Sequence, residues 1–287
     1  MSKNLQMNTP LISVLMTAYN REKYIAEAIE SVLASTYQDF ELIIVDDCSK
    51  DSTVDIAKSY EAKDSRIKVY INETNLGDYP NRNKVASYAS GKYLKYVDAD
   101  DYIYPNGLEI IVNQMEAFPN ASVGLFSLPQ NIQKPFPILL SPRESYEYNY
   151  FGPGLFHKAP LSAIFRKDSF EEIGGFKPDR MVSDFEMWYR MAQRFNFLLI
   201  QDHIVWYREH DAQEVNSKSA FELIYTRIEK KYIIDNNSPL NLIQRKLILK
   251  RRIKMYLKQL VISIMKFEFR NALLSHQKIL IYFGWKK

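Results

Sequence analysis

The chain carries a single cysteine, Cys48, among 287 residues. One thiol excludes an intrachain disulfide framework and suits a reducing compartment. No stretch approaches the roughly 20 apolar residues that a membrane-spanning helix requires. Met1 to Thr9 is polar, without an apolar centre, and so predicts no secretory leader. Internal repeats and low-complexity tracts are missing too, which excludes a repeat array. What is present is ordinary for a folded domain: 46% hydrophobic and 25% charged residues, enough for a core. The length fits one large domain, or one domain with an appendage.

The net charge of +4 is small but unevenly spread. Gln244 to Lys287 holds twelve Lys or Arg against one acid, Glu268, so that segment is +11 and the remainder −7. Such asymmetry points to a polyanionic surface as partner.

The densest chemical signal is Asp98-Ala99-Asp100-Asp101, directly after the apolar-rich run Tyr93 to Val97. That run reads as a buried strand, which puts three carboxylates at its carboxyl end. Acids gathered there repel one another unless something positive joins them. Mg²⁺ or Mn²⁺ commonly binds through one or two carboxylates plus substrate phosphates, so the cluster points to a metal site for a phosphorylated substrate. A solvated acidic loop is the plainer alternative.

Strands and helices alternate around this cluster. Leu11 to Met16, Phe40 to Val45, Ile67 to Ile71 and Tyr93 to Val97 read as strands. Ile25 to Leu33, Thr53 to Tyr60 and Asn81 to Ala89 read as helices. This alternation predicts a parallel-type α/β sheet, whose ligands bind beyond the strands' carboxyl ends. Thr17 to Asn20, Asp46-Asp47 and Asp98 to Asp101 all fall there. Gly124 to Arg180 is broken by prolines into loops and short strands. Val182 to Phe195 reads as a helix with Trp188, Met191 and Ala192 inward, and Leu198 to Trp206 as a strand. Asn237-Ser238-Pro239 reads as a helix start, with proline at the first helical position.

Seven pieces in order resemble the family 2 glycosyltransferases of GT-A fold. They are Ser13 to Asn20, Glu41 to Thr53, Asn81-Arg82-Asn83, Asp98 to Asp101, Gly174-Gly175-Phe176, Ser183 to Trp188 and Tyr207 to His210. They span about residues 10 to 215. The resemblance implies a Rossmann-like, mixed and mostly parallel central sheet flanked by helices. A catalytic domain would cover 1–216, with a nucleotide-sugar half at about 10–105 and an acceptor half at about 106–216. A basic helical extension would follow at 217–287.

The resemblance also implies a hexosyl transfer with inversion. The donor would be a nucleotide sugar, of UDP type, and the acceptor a hydroxyl of a saccharide or lipid-linked molecule in surface polysaccharide biosynthesis. Thr17, Ala18, Tyr19 and Asn20 would face the base. Asp47 would accept the uracil imide proton, with capping the alternative for one of the pair Asp46-Asp47. Arg82 would meet base or phosphate, unless it is an exposed helix arginine. Asp98 and Ala99 would lie near the ribose, and Asp100 would ligate Mn²⁺ or Mg²⁺. Asp184 would be the general base, in a place where the family shows Glu-Asp and this chain has Ser183-Asp184; Glu186 is the alternative base. Arg208 and His210 would reach the pyrophosphate or metal, with Asp211 an alternative partner for His210.

Aromatic and glycine residues from Tyr146 to Pro160 suit sugar rings but equally suit a core. In the tail, Leu247, Ile248, Ile253, Leu257 and Leu260 interleave with Lys and Arg, followed by Phe267, Phe269, Tyr282, Phe283 and Trp285. This pattern fits a peripheral contact with an anionic bilayer, hence a cytoplasmic enzyme at the inner face of the membrane. A helical cap or homodimer contact is the alternative. Two other functions compete. A nucleotidyltransferase would carry a Gly-rich loop after the first strand, and Thr17-Ala18-Tyr19-Asn20 has no glycine. A non-catalytic carbohydrate or nucleic-acid binder would use the basic tail, although no nucleic acid is expected.

Overall fold

Two strands, β1 (Ile12–Ala18) and β2 (Phe40–Asp46), are buried almost along their whole length in a computed structural model of the protein. Burial on both faces explains their unbroken apolar runs. The structure describes residues 9–131, 134–201, 203–210 and 221–284. Asp211, Trp285 and the boundary expected at 216/217 lie outside the described residues.

α1 (Ile25–Leu33), α2 (Thr53–Glu61) and α3 (Asp78–Ser87) connect β1, β2, β3 (Ile67–Ile71) and β4 (Tyr93–Tyr96). These four strands are parallel neighbours in the order β3-β2-β1-β4. β1 therefore leads outward to β2 on one side and has β4 on the other. That reversal of strand order opens a crevice at the carboxyl ends. The register aligns Ala18 with Asp46 and Leu15 with Tyr96, so the three segments after these strands meet at one rim.

Beyond β4 the chain forms β5 (Tyr102–Ile103), α4 (Gly107–Ala117), β6 (Ala121–Leu125) and β7 (Ile138–Leu140). α5 (Pro142–Phe151), β8 (Ala163–Arg166), α6 (Lys167–Glu172), α7 (Ser183–Arg194), β9 (Asn196–Leu199) and β10 (Val205–Trp206) follow. β8 pairs antiparallel with β4 and β6, β9 runs parallel to β6, and β7 closes the sheet antiparallel to β9. The eight-stranded sheet is thus mixed and mostly parallel. On β4, Lys95 is wholly buried; burial pulls its ammonium down to about 7, and it donates to the carbonyls of Tyr96 and Leu161.

Three expectations are corrected. Leu198 to Trp206 is not one strand: β9 belongs to the large sheet, while β10 pairs with β5 in a separate ribbon. The proline-broken middle contains the ten-residue helix α5, started by a capping box between Ser141 and Glu144 with Pro142 in the first turn. The helix expected at Asn237-Ser238-Pro239 begins later, at α9 (Leu242–Met265), where Asn241 and Gln244 form the capping box.

The tail comprises α8 (Glu222–Ile234), α9 and α10 (Phe269–Phe283). α9 and α10 form a hairpin, and α8 packs on α7, where the Tyr232 and Tyr189 rings stack at 5.1 Å. Ile233, Leu240 and Ile248 join the core that holds Trp188. Within the Tyr146 to Pro160 stretch, Tyr146 and Phe156 are wholly buried core residues, whereas His157 is exposed.

Candidate active site

A cavity of about 330 Å³ opens at the crevice between β1 and β4. Thr17, Ala18, Tyr19, Asp47, Arg82, Asp98 and Asp100 line it, all of them predicted from the sequence. Arg21, Asn75, Gly77, Asp78, Asn81, Asp101 and Tyr207 complete the lining.

Asp47 is held rigidly. One carboxylate oxygen accepts from the Leu76 N–H and the Asn72 amide, both at 2.8 Å, and the other from the Gly77 N–H at 2.9 Å. Presenting that N–H requires φ = +86° at residue 77, a conformation that glycine adopts without strain. Its neighbour Asp46 instead closes the turn, accepting from the Ser49 N–H at 2.8 Å. Asn20, at φ = +52°, is tied to the same turn: its amide oxygen accepts from the Lys50 N–H at 2.9 Å.

Arg82 is buried, not an exposed helix arginine. Its two terminal nitrogens donate to both oxygens of Asp98 at 2.7 and 2.8 Å, and its Nε donates to Asp78 at 2.8 Å. Burial alone would raise the Asp98 carboxyl, but Arg82 overrides it and holds the group below the ordinary carboxylate value. Ala99 is buried, and its N–H donates to the Thr17 carbonyl at 3.3 Å, which joins the ends of β1 and β4.

Asp100 gathers a second set. Its Oδ2 accepts from Arg21 Nε at 2.8 Å and lies 3.0 Å from His210 Nε2. The His210 ring stacks on Tyr24 at 4.9 Å. Arg208 donates from its backbone N–H to Asp101 at 3.0 Å and from Nε to the Asp100 carbonyl at 2.9 Å. Burial, then the charges of Asp98 and Asp100, push the Asp101 carboxyl up to about 8. Hence the late basic element and the acid cluster form one unit. Among the described residues no group of three or more His, Cys, Asp and Glu side chains is placed to enclose a cation. Asp100 and His210 could supply two donors, leaving the other positions to phosphate oxygens and water, the pattern that Mg²⁺ and Mn²⁺ accept.

Asp184 does not line this cavity; it sits beside it, in the first turn of α7. Its carboxylate accepts from its neighbour's N–H, Phe185, at 2.6 Å and from the Tyr79 hydroxyl, and it feels the charges of Arg82 and Asp78. Burial pushes it up to about 6. Glu186 is different. It is buried with Arg190 at 2.6 Å, Lys177 and Tyr232, which outweigh burial and lower its pKa. That network binds α7 to α8 and leaves Glu186 unsuited to accept a proton.

Sequence reasoning gave no site role to Arg21, Asn75, Gly77 and Asp78, nor to Asn81 and Tyr207, although the last two stand in pieces that carry the resemblance. Arg21 stands next to Asn20, a predicted residue, yet its contact with Asp100 spans 79 positions and leaves no local signal.

The family model for glycosyl transferase family 2 matches residues 13–174, more than half of the chain. An uncharacterized glycosyltransferase of Methanocaldococcus jannaschii is 33% identical over 235 residues, covering 77% of this chain and 78% of that protein. The UDP-Glc:alpha-D-GlcNAc-diphosphoundecaprenol beta-1,3-glucosyltransferase of Escherichia coli is 38% identical over 139 residues, covering 44% of this chain and 54% of that enzyme. The chain thus spans only about half of the latter. Among solved structures, Staphylococcus aureus TarS 1-349 in complex with UDP-GlcNAc superposes with a TM-score of 0.67 at 22% identity, covering 83% of this chain and 70% of that one. The mannosyltransferase PcManGT of Pyrobaculum calidifontis, in complex with GDP-Man and Mn²⁺, gives 0.59 at 13% identity, covering 97% and 88%. These two establish the GT-A fold. With the nucleotidyltransferase and binding-protein alternatives set aside by the family match, the crevice at the strand reversal belongs to a glycosyltransferase, and the chain is a member of glycosyl transferase family 2.

Proposed function

We propose that the protein transfers a sugar from a UDP-sugar to a hydroxyl of a saccharide or lipid-linked acceptor, with inversion, in surface polysaccharide assembly. The observation that carries this reading is the single crevice in which Asp47, the Arg82–Asp98 pair and Asp100 converge, with Asp184 beside it. Thr17, Ala18, Tyr19 and Asn20 frame the base, and Asp47 holds its imide. Asp98, fixed by Arg82, faces the ribose, with Ala99 buried behind it. The donors named for the Escherichia coli and Staphylococcus aureus proteins support the UDP assignment.

Asp100 and His210 would hold a divalent ion, and Arg208 would add positive charge near the diphosphate. When bound, the ion supplies Lewis-acid neutralisation of the departing nucleoside diphosphate. The Mn²⁺ complex of the Pyrobaculum enzyme supports this assignment. In the displacement, the acceptor O–H proton passes to the Asp184 carboxylate as the acceptor oxygen bonds the anomeric carbon. The bond from that carbon to the phosphate oxygen breaks, and its electron pair leaves with UDP. A carboxyl at about 6 is ionised at neutral pH yet basic enough to take that proton.

The test is UDP release from a panel of UDP-sugars, with GDP-mannose as control, in Mn²⁺. Asp100→Asn is expected to lower turnover at least roughly 100-fold and to remove the Mn²⁺ dependence of UDP's stabilising effect on melting. Release from no nucleotide sugar, or an unaffected Asp100→Asn, overturns the reading.

The hairpin of α9 and α10 supports a peripheral membrane position for such an enzyme. Its tip exposes Met265 at 74%, Phe267 at 78% and Phe269 at 75%, flanked by Lys258, Lys266 and Arg270 against one exposed acid, Glu268. No helix among the described residues is long and apolar enough to cross a membrane. An apolar tip with three cations to one acid suits an anionic bilayer. Phe267→Ser with Phe269→Ser is expected to weaken flotation with phosphatidylglycerol vesicles at least roughly 100-fold. Equal flotation of variant and parent would exclude the tip.

A further inference from the structure

Asp184 sits in the first turn of α7, and that turn is poorly anchored by its own sequence. The residue at its N-cap is Val182, whose apolar side chain cannot accept from the free N–H groups there. Just before it, Met181 is held at φ = +66°, a left-handed conformation that is strained for a residue with a side chain. Left to itself such a start would relax, and the Asp184 carboxylate would move with it.

Two hydroxyls of α8 hold it in place. Tyr225 donates to the Met181 carbonyl, and Tyr232 donates to the Glu186 carboxylate. Tyr225 and Tyr232 are seven positions apart, so they share one face of α8, two turns from each other. Their two partners bracket Asp184 in the chain. The rings pack along the same helix: Tyr225 lies 5.0 Å from Phe185, and Tyr232 stacks on Tyr189 at 5.1 Å. We infer that Tyr225 and Tyr232 are positioning residues for the general base, α8 gripping the start of α7 on both sides of Asp184. This deepens the proposed function and rests on the role given there to Asp184.

The grip also sets what surrounds the carboxylate. From α3 it meets the Tyr79 hydroxyl and feels the charges of Arg82 and Asp78; from α8 it faces Tyr225. A base works only where its oxygen meets the acceptor's proton in line, and a displacement of about 1 Å is costly there. α8 lies beyond residue 174, where the family match ends. The base of this enzyme is accordingly aimed by a helix outside the matched span, and the tail is part of the catalytic unit.

The experiment compares the full chain with Tyr225→Phe, Tyr232→Phe and the double variant, which keep the rings and lose only the hydroxyls. Tyr146→Phe is the control: its hydroxyl also reaches α7, but at the Tyr189 carbonyl, 3.3 Å away and beyond the first turn. Each single variant is expected to lower kcat for UDP release about tenfold, and the double variant roughly 100-fold. KM for the UDP-sugar and the rise in melting temperature with UDP should stay as in the parent. The loosened turn admits water, so Asp184 titrates nearer the ordinary carboxylate range. The acid limb of kcat/KM then moves to lower pH, and so does the carbon NMR titration of the Asp184 carboxyl, identified as the aspartate signal that Asp184→Asn removes. Tyr146→Phe should change neither kcat nor the titration. Tyrosine variants that melt lower yet keep kcat and the pH profile overturn the grip, as does a Tyr146→Phe protein impaired to the same extent. An unmoved NMR titration overturns it whether or not a donor is turned over. Failure of the role given to Asp184 reads differently: Asp184→Asn would keep full turnover, while the titration would still move in the α8 variants.

Discussion

Asp184→Asn is expected to abolish sugar transfer while making the protein more stable. A positioned general base contributes about 10²–10⁴-fold, and an amide cannot take the acceptor's proton. The stability change has the opposite sign because burial raises this carboxyl from 3.8 to about 6. The folded state then binds the proton more tightly than the unfolded state, so ionisation works against folding. That penalty is fully present above pH 6 and vanishes below the unfolded value. Asparagine removes the charge and can still accept from Phe185 and Tyr79. The variant should melt roughly 2–5 °C higher at pH 8 and match the parent at pH 3. In the parent, kcat/KM should fall about tenfold per pH unit below 6. An Asp184→Asn protein with full turnover would remove Asp184 from the chemistry.

Arg82→Met should have the largest effect on folding. Arg82 compensates Asp98 with two hydrogen bonds and Asp78 with a third, under the wall of the cavity. Methionine keeps the volume but leaves Asp98 charged beside Asp101 with no cation in contact. Breaking one partner of a buried pair costs about 3–5 kcal/mol, which lowers the melting temperature by on the order of 10 °C. The double variant Arg82→Met with Asp98→Asn should regain most of that loss, because the buried charge is gone and the Asp78 carboxylate that remains is reached by solvent, yet it should remain unable to bind UDP. Thermal melting of the three proteins with and without UDP and Mn²⁺ checks both parts. A single variant as stable as the parent would mean that water, not Arg82, solvates Asp98.

Much of the donor half was legible in the residues. α1 falls at Ile25–Leu33 and β3 at Ile67–Ile71, as their spacing predicts. Thr17 lies in the last two residues of β1, and Asp47, Asp98 and Asp100 follow strand ends, which parallel strands bring to one rim. Other signals were present but outweighed. Ser141-Pro142-Arg143-Glu144 carries the start of α5, yet the surrounding prolines made the region read as loop. Gly77 ends a turn and caps α3, so that helix begins at Asp78, three residues before the expected Asn81.

By itself, then, the order of residues determined the alternation of strand and helix, the acids at the strand ends and the family pattern, since hydrogen-bonded periodicity and turn chemistry belong to contiguous positions. Only the tertiary structure decided that Arg21 and His210 share one oxygen of Asp100, that Glu186 is spent on Arg190, Lys177 and Tyr232, and that Asp184 sits beside the donor crevice without lining it. Those contacts join positions as far as 110 residues apart. No local pattern encodes them, because their partners are chosen by which strands pair and which helix faces pack.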